Sequence, residues 1–122
     1  MYYIPRREMP QVDEKDLPEL VVASWQSGHH PSFEVVNPLD LHAHQRVNRT
    51  RALGMPENVK RKPVLVSLDN YVLDGNHRWY AHRMEETPMN VIRIGLSFED
   101  ALPWLFKQPF TYKLTPETPE RN

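Results

Sequence analysis

Residues 74–78 read Asp-Gly-Asn-His-Arg, and their types and order suit the binding of an anion. They lie between an apolar predicted strand and a predicted helix, with the glycine at the junction. The first N–H groups of a helix lack partners within it, and together with the helix dipole they favour a phosphate. Arg78 adds a fixed charge and a fork of donors, and Asn76 and His77 add further donors. An ordinary turn of solvated polar side chains fits the same spacing, so spacing alone leaves both interpretations open.

The longer sequence D-G-N-H-R-W-Y-A, with its upstream strand and basic helix, resembles the G-x-H-R phosphate motif of the ParB/sulfiredoxin superfamily. That superfamily includes CTP-binding partition proteins, sulfiredoxins, free-serine kinases and small phage or plasmid proteins called ParB-like nucleases. The similarity covers about residues 33–96, and residues 4–12 resemble the start of the phage-type members. The resemblance implies a small single-domain α+β fold, a mixed sheet flanked by short helices, over residues 1–114.

The resemblance also implies a site. Gly75, Asn76, His77 and Arg78 are expected to bind the phosphates of ATP or CTP, with Mg²⁺ as the accompanying ion. Asn76 stands where sulfiredoxins carry their reactive cysteine. An amide cannot form a thiolate, so sulfiredoxin chemistry is excluded.

Asp74 is the predicted catalytic and metal-binding residue. In the free-serine kinases that the chain resembles, an Asp-Gly pair stands at this point, with the acid near metal and phosphate. Asp74 is therefore expected to position Mg²⁺ or to accept a proton from an attacking hydroxyl. A helix-capping role is the alternative. Glu34, on a predicted strand, is a second candidate general base.

Gln45 and Arg46 are predicted to contact a base or a phosphate. They lie in a stretch that resembles the N-P-x-Q-P-R region of partition proteins. The match departs from that pattern because Asn37-Pro38 and Gln45 are further apart in this chain.

Composition limits the class of protein. The chain has 122 residues, which is the length of one domain, and its 39% hydrophobic content suffices for one modest core. It has no cysteine, which excludes disulfides and thiolate chemistry and fits a cytoplasmic location. No apolar run is long enough to span a membrane, and the N-terminus lacks a signal-peptide pattern. Residues 115–122 are predicted to be a disordered tail.

Charge is segregated, although the formal net charge is only −1. Basic residues concentrate in positions 46–62 and acidic ones near the start of the chain. A basic segment beside a phosphate motif suits a nucleotide or DNA partner. A solvated charged face is the alternative, and the balanced total argues against a dedicated non-specific DNA binder.

Local patterns predict short elements with frequent breaks. The segment 1–12 reads as an extended edge strand. Helices are predicted over 16–26, 46–53 and 76–86, and a short one is predicted after Ser97 despite Pro103. Strands are predicted over 33–36, 63–68, 71–73 and 89–94, the second and third forming a hairpin. On the helix after Gly75, the spacing places His77, Tyr80, Ala81 and Met84 on the face that packs on the sheet. The tryptophans are predicted to pack in or beside the core.

Three functional hypotheses follow. The first is a nucleotide-binding enzyme that transfers or hydrolyses phosphate at Asp74–Arg78. The second is a DNA-binding ParB-like protein, with possible nuclease activity, that uses residues 46–62. The chain has no room for the separate helix-turn-helix domain of true partition proteins. The third is a noncatalytic phage or plasmid accessory protein.

Overall fold

The computed structural model describes residues 4–114 of the chain. The strands in this range are β1 (Gln11–Val12), β2 (Ser32–Val36), β3 (Val64–Val66), β4 (Val72–Asp74), β5 (Met89–Arg93) and β6 (Thr111–Tyr112). The α-helices are α1 (Leu17–Gln26), α2 (Arg49–Leu53), α3 (Glu57–Lys60), α4 (Asn76–Glu85) and α5 (Phe98–Phe106). The predicted disordered tail lies outside the described residues.

The main sheet is mixed and has the strand order β2-β5-β3-β4. The β3–β5 pair is parallel, whereas β2–β5 and β3–β4 are antiparallel. Strands β1 and β6 form a separate antiparallel pair. The predicted α+β class, with a mixed sheet and several short helices, is therefore confirmed. Strands β2 and β4 form the two edges of the main sheet in the described part of the chain.

The sheet separates two apolar clusters. Strand β5 shows the predicted alternation, with Val91 facing one cluster and Ile92 and the following Ile94 facing the other. Helix α4 covers the Val91 side through Trp79, and α1 and α5 cover the opposite side. The motif helix is thereby anchored by a buried ring, because Trp79 is only 6% exposed.

Most predicted elements form close to their predicted bounds. Helix α1, strand β2, the β3–β4 hairpin and strand β5 are all present. Ser97 caps α5 by accepting a hydrogen bond from the Asp100 N–H at 3.3 Å, and Pro103 lies inside that helix without ending it. Strand β4 ends at Asp74, one residue later than predicted.

Three predicted elements need correction. The basic helix over 46–53 begins only at Arg49, because the Asn48 side chain accepts a hydrogen bond from the Arg51 N–H at 3.0 Å and caps it there. The segment 1–12 is not one strand: a single 3-10 turn spans Arg6–Glu8, and β1 is two residues long.

The third correction concerns the packed face of α4. Met84 is 48% exposed, so its predicted place against the sheet is wrong. Ala81 is buried as predicted, and the other buried positions of α4 are Asn76, Trp79 and His82. His82 is retained inside by hydrogen bonds to the Thr87 hydroxyl and the Lys60 carbonyl.

No helix within residues 4–114 is long and apolar enough to cross a membrane.

Candidate anion-binding site

The turn between β4 and α4 depends on Gly75. This residue has φ +105° and ψ 30°, a left-handed conformation that side chains disfavour. It lets the chain pass from the last strand residue, Asp74, directly into α4. Gly75 also has no side chain with which to accept hydrogen bonds from the first N–H groups of the helix. No side-chain cap therefore occupies the first N–H groups of α4.

A small cavity of about 30 Å³ lies at this helix start. Its lining includes Gln45 and all of residues 74–78, so the structure brings together the predicted phosphate-binding residues other than Arg46. The remaining lining residues are Arg6, Gln11, Arg51 and Met55. Three arginines from distant parts of the sequence thus converge on the N-terminal end of α4. Asp74 is the one carboxylate among the described lining residues.

Asn76 is the most unusual polar group at the site. Its side chain is only 4% exposed, and its Nδ2 donates to the Arg46 carbonyl at 3.3 Å. Its Oδ1 is buried and has no hydrogen-bond partner among residues 4–114. A buried acceptor without a partner costs about 1–3 kcal/mol, so a donor or a cation from a ligand would stabilise this position.

His77 has a structural contact that limits its chemistry. Its Nε2 accepts a hydrogen bond from the Asn48 backbone N–H at 3.1 Å. This nitrogen therefore carries no proton in this arrangement and cannot donate to a phosphate. His77 instead joins the start of α4 to the residue that caps α2.

Asp74 and Arg78 are partly buried groups of opposite charge that attract each other. The Asp74 Oδ2 accepts the Val12 N–H at 2.9 Å, which connects β4 to β1. Burial raises the pKa of Asp74, against the opposing effects of Arg78, the Val12 N–H and Arg6. Burial also lowers the pKa of Arg78, against the opposing charges of Asp74 and Glu14.

The Arg78 guanidinium lies across Gly75. A Cβ placed on Gly75 would be 2.8 Å from the Arg78 Nη2 and 3.0 Å from the Val64 Cγ2. Any side chain at position 75 would therefore displace the guanidinium. Gly75 is needed both for its backbone angle and for the position of Arg78.

A larger cavity of about 510 Å³ adjoins the small one, because Gln11, Asp74 and Arg78 line both. Its other polar lining residues are Asp13, Glu14, Lys15, Lys62 and Tyr112. The Tyr112 hydroxyl donates to Asp13 at 2.9 Å, and the Lys62 Nζ lies 3.5 Å from a Glu14 carboxylate oxygen. This cavity has the volume of a small-molecule site.

Two predicted site residues lie elsewhere. Glu34 is on the edge strand β2, separated from β4 by three strand spacings, or roughly 14 Å. Its carboxylate binds Arg93 at 2.9 Å, and this ion pair lowers the pKa of Glu34. Arg46 lines a different groove, and its carbonyl accepts a hydrogen bond from the Asn76 side chain.

Part of the basic segment 46–62 is buried or paired with carboxylates. Lys60 is 7% exposed, and its Nζ binds carboxylates of Glu57 and Glu85. Arg61 and Lys62 also lie near carboxylates, at 3.6 Å from Glu57 and 3.5 Å from Glu14 respectively. Lys60 is therefore removed from any DNA-binding surface. Among the described residues, no group of three or more His, Asp or Glu side chains is placed to hold a metal ion.

Sequence reasoning gave no site role to Arg6 or Gln11. Arg6 lies in the 3-10 turn before β1, and Gln11 lies in β1. Strand β1 pairs with β6, near the end of the described residues. Arg51 was counted only within the basic segment. No local spacing rule connects these three residues to the motif, so only tertiary structure could identify them.

Comparison of the chain with protein-family models, with curated proteins and with solved structures gave no match.

Proposed function

We propose that this chain is a cytoplasmic ParB/sulfiredoxin-like domain that binds a nucleotide, ATP or CTP, through its phosphates at the start of α4. The observation that supports this proposal is that Arg6, Arg51 and Arg78 line one cavity together with the first residues of α4. Guanidinium groups and helix N-termini are both strong phosphate ligands. The buried Asn76 Oδ1 is an independent indication that a ligand completes the site.

In this proposal the two cavities hold different parts of the nucleotide. The small cavity has room for only one or two water molecules, so a phosphate binds at its mouth and Arg78 moves to admit it. The adjoining cavity of about 510 Å³ accommodates the nucleoside. Gln11, Asp74 and Arg78 lie at the junction of the two.

Asp74 has two roles in this proposal. Its carboxylate and the Asn76 Oδ1 are oxygen ligands of the kind that Mg²⁺ uses, with the phosphates supplying the remainder. Its raised pKa also makes Asp74 a better proton acceptor for an attacking hydroxyl or water than an ordinary aspartate. Glu34 has no part in this proposal because of its position on the opposite edge of the sheet.

Isothermal calorimetry with ATP and CTP, with and without Mg²⁺, tests the proposal. We expect Arg78→Ala to weaken binding by about 10- to 100-fold, the effect of one lost charge-assisted hydrogen bond. Arg51→Ala is a second variant, since Arg78→Ala also leaves the partly buried Asp74 without its partner. Arg61→Ala is the matched control, because Arg61 is 78% exposed and lies outside both cavities. Absence of binding by the wild type, or wild-type affinity in both cavity variants, would exclude the site.

The same titrations with Asp74→Asn separate its roles. Removing this carboxylate from the arginine cluster should tighten nucleotide binding when Mg²⁺ is absent. When Mg²⁺ is present, binding should weaken because a metal ligand is lost. An identical Mg²⁺ effect in wild type and variant would remove Asp74 from the metal site. Nucleotide binding by the wild type without phosphate release would favour the noncatalytic alternative.

A further inference from the structure

A second concave surface lies beside the anion site and is separate from it. This groove has a volume of about 1040 Å³, and Gln45 is the residue that it shares with the small cavity. The volume is at the upper limit of about 1000 Å³ for small-molecule pockets. The groove therefore suits an extended ligand better than a compact one.

The charged side chains that line the groove in the described part of the chain are all positive. Arg46, Arg49 and Arg83 line it, and none of its lining residues in the described part of the chain is a carboxylate. The whole chain, by contrast, has 15 basic and 16 acidic residues. The groove therefore concentrates positive potential on a protein whose net charge is close to zero, and it favours an anionic ligand.

The groove is also lined by flat rings. The His44 ring stacks on Tyr71 with ring centres 4.6 Å apart and an interplanar angle of 9°. The exposed ring of His42 contacts the same tyrosine, with ring centres 5.4 Å apart. The Arg83 guanidinium lies 5.5 Å from the centre of the Trp79 ring, which is 6% exposed. Stacked rings beside arginines are the surfaces on which unpaired bases stack.

We propose that this groove binds single-stranded nucleic acid. Its arginines contact the phosphate backbone, and His42 and its neighbouring rings stack with the bases. A duplex does not fit this chemistry, because its bases are already stacked and its ends alone expose their faces. An acidic peptide would match the charge but would leave the rings without a stacking partner. The proposal does not depend on nucleotide binding at α4.

Fluorescence anisotropy with labelled oligo-dT and oligo-rU of about 12 nucleotides, within the site sizes known for such proteins, tests the proposal. We expect binding that weakens with salt, and a smaller salt slope in Arg49→Ala and Arg83→Ala, by about 0.7 for each lost phosphate contact. His42→Ala should weaken binding about 10-fold through lost stacking. Arg61→Ala, an exposed arginine outside the groove, should bind like wild type.

Three results would overturn the proposal: no binding to either oligonucleotide, tighter binding to a duplex of the same sequence, or equal weakening by Arg61→Ala and Arg83→Ala. Competition by polyglutamate as effective as that by unlabelled oligonucleotide would assign the groove to an acidic peptide instead. Circular dichroism confirms that each variant is folded. Calorimetry with ATP and CTP on Arg83→Ala shows whether the α4 site is intact, so failure of one proposal is distinguishable from failure of the other.

Discussion

Gly75 combines two requirements at one residue, a left-handed backbone and a close approach by Arg78. Gly75→Ala should therefore destabilise the protein by about 1–3 kcal/mol, because the strained backbone angle is joined by a 3.0 Å contact with the Val64 Cγ2 and by displacement of the Arg78 guanidinium. Gly28→Ala is the matched control. Gly28 has φ +80°, but no described atom lies within 4 Å of the Cβ that alanine would add. Urea unfolding measures both variants.

The difference between the two glycine variants isolates the contact with Arg78 and Val64. Equal destabilisation by Gly75→Ala and Gly28→Ala would show that the contacts with Arg78 and Val64 add no cost to the backbone angle. Gly75→Ala should also weaken any anion binding at α4, whereas Gly28→Ala should not.

At the residue scale, the sequence predicts the positions that depend on neighbouring residues. The positions of Gly75, Asn76 and Arg78 at the start of a helix follow from the order of neighbouring residues. Arg6 and Gln11 could not be predicted, because the chain that carries them reaches the cavity through pairing with residues about a hundred positions away. The bond from the Asn48 N–H to His77 is another long-range contact without a local signal.

At the scale of elements, Lys60 connects α3 to α4. Its buried Nζ binds Glu57 on its own helix and lies 2.7 Å from Glu85 on α4, and its carbonyl accepts a hydrogen bond from His82. Lys60→Ala should lower the free energy of unfolding by about 1–3 kcal/mol, because packing and charged hydrogen bonds are lost together. Urea unfolding measures this change.

Arg61→Ala is the control for Lys60→Ala, since Arg61 lies 3.6 Å from the same Glu57 but is 78% exposed. The control should change stability by less than about 0.5 kcal/mol. If both variants lost the same stability, Lys60 would be an ordinary surface lysine. It would then rejoin the basic segment as a candidate DNA contact.

The elements that periodicity and capping signals predicted are those with local causes: α1, β2, α4, β5 and α5. Helix α2 begins three residues later than predicted, because the Asn48 side chain caps it. The parallel β3–β5 pairing and the β1–β6 pairing were not predicted. Both join distant segments, and no spacing rule within either segment encodes the partner.

At the scale of the whole molecule, two carboxylates on opposite edges of the main sheet respond to pH in opposite directions. Burial raises the pKa of Asp74 above its ordinary value of 3.8. The folded protein therefore binds this proton more tightly than the unfolded chain does, and the Asp74 contribution to stability falls as pH rises above 3.8. The Arg93 hydrogen bond lowers the pKa of Glu34 below 4.5. Its contribution is present above pH 4.5 and is lost as pH falls through the folded pKa.

Removing each carboxyl charge should therefore change the pH profile of stability with opposite sign. Relative to wild type, Asp74→Asn should become more stable as pH rises above 3.8, whatever constant offset the amide introduces. Glu34→Gln should match wild type in acid and be less stable at neutral pH, by about 0.5–1 kcal/mol for a partly exposed ion pair. Arg93 keeps its hydrogen bonds to the Ser67 carbonyl and Asn70 in this variant, so its position is preserved.

Urea unfolding at a series of pH values between about 3 and 7, which spans the ordinary range of carboxyl pKa values, measures both profiles. The test uses how the free energy of unfolding changes with pH. A difference between variant and wild type that is the same at every pH reports altered packing and not titration. For each variant, the quantity to compare is the slope of its stability difference from wild type against pH. If Asp74→Asn and Glu34→Gln gave slopes of the same sign, the two pKa values would not be shifted in opposite directions. Opposite slopes would show that the protein holds one carboxylate at a cost in stability and the other at a gain. A carboxylate held at such a cost, in a cavity lined by Arg6, Arg51 and Arg78, is a candidate for ligand binding or proton transfer.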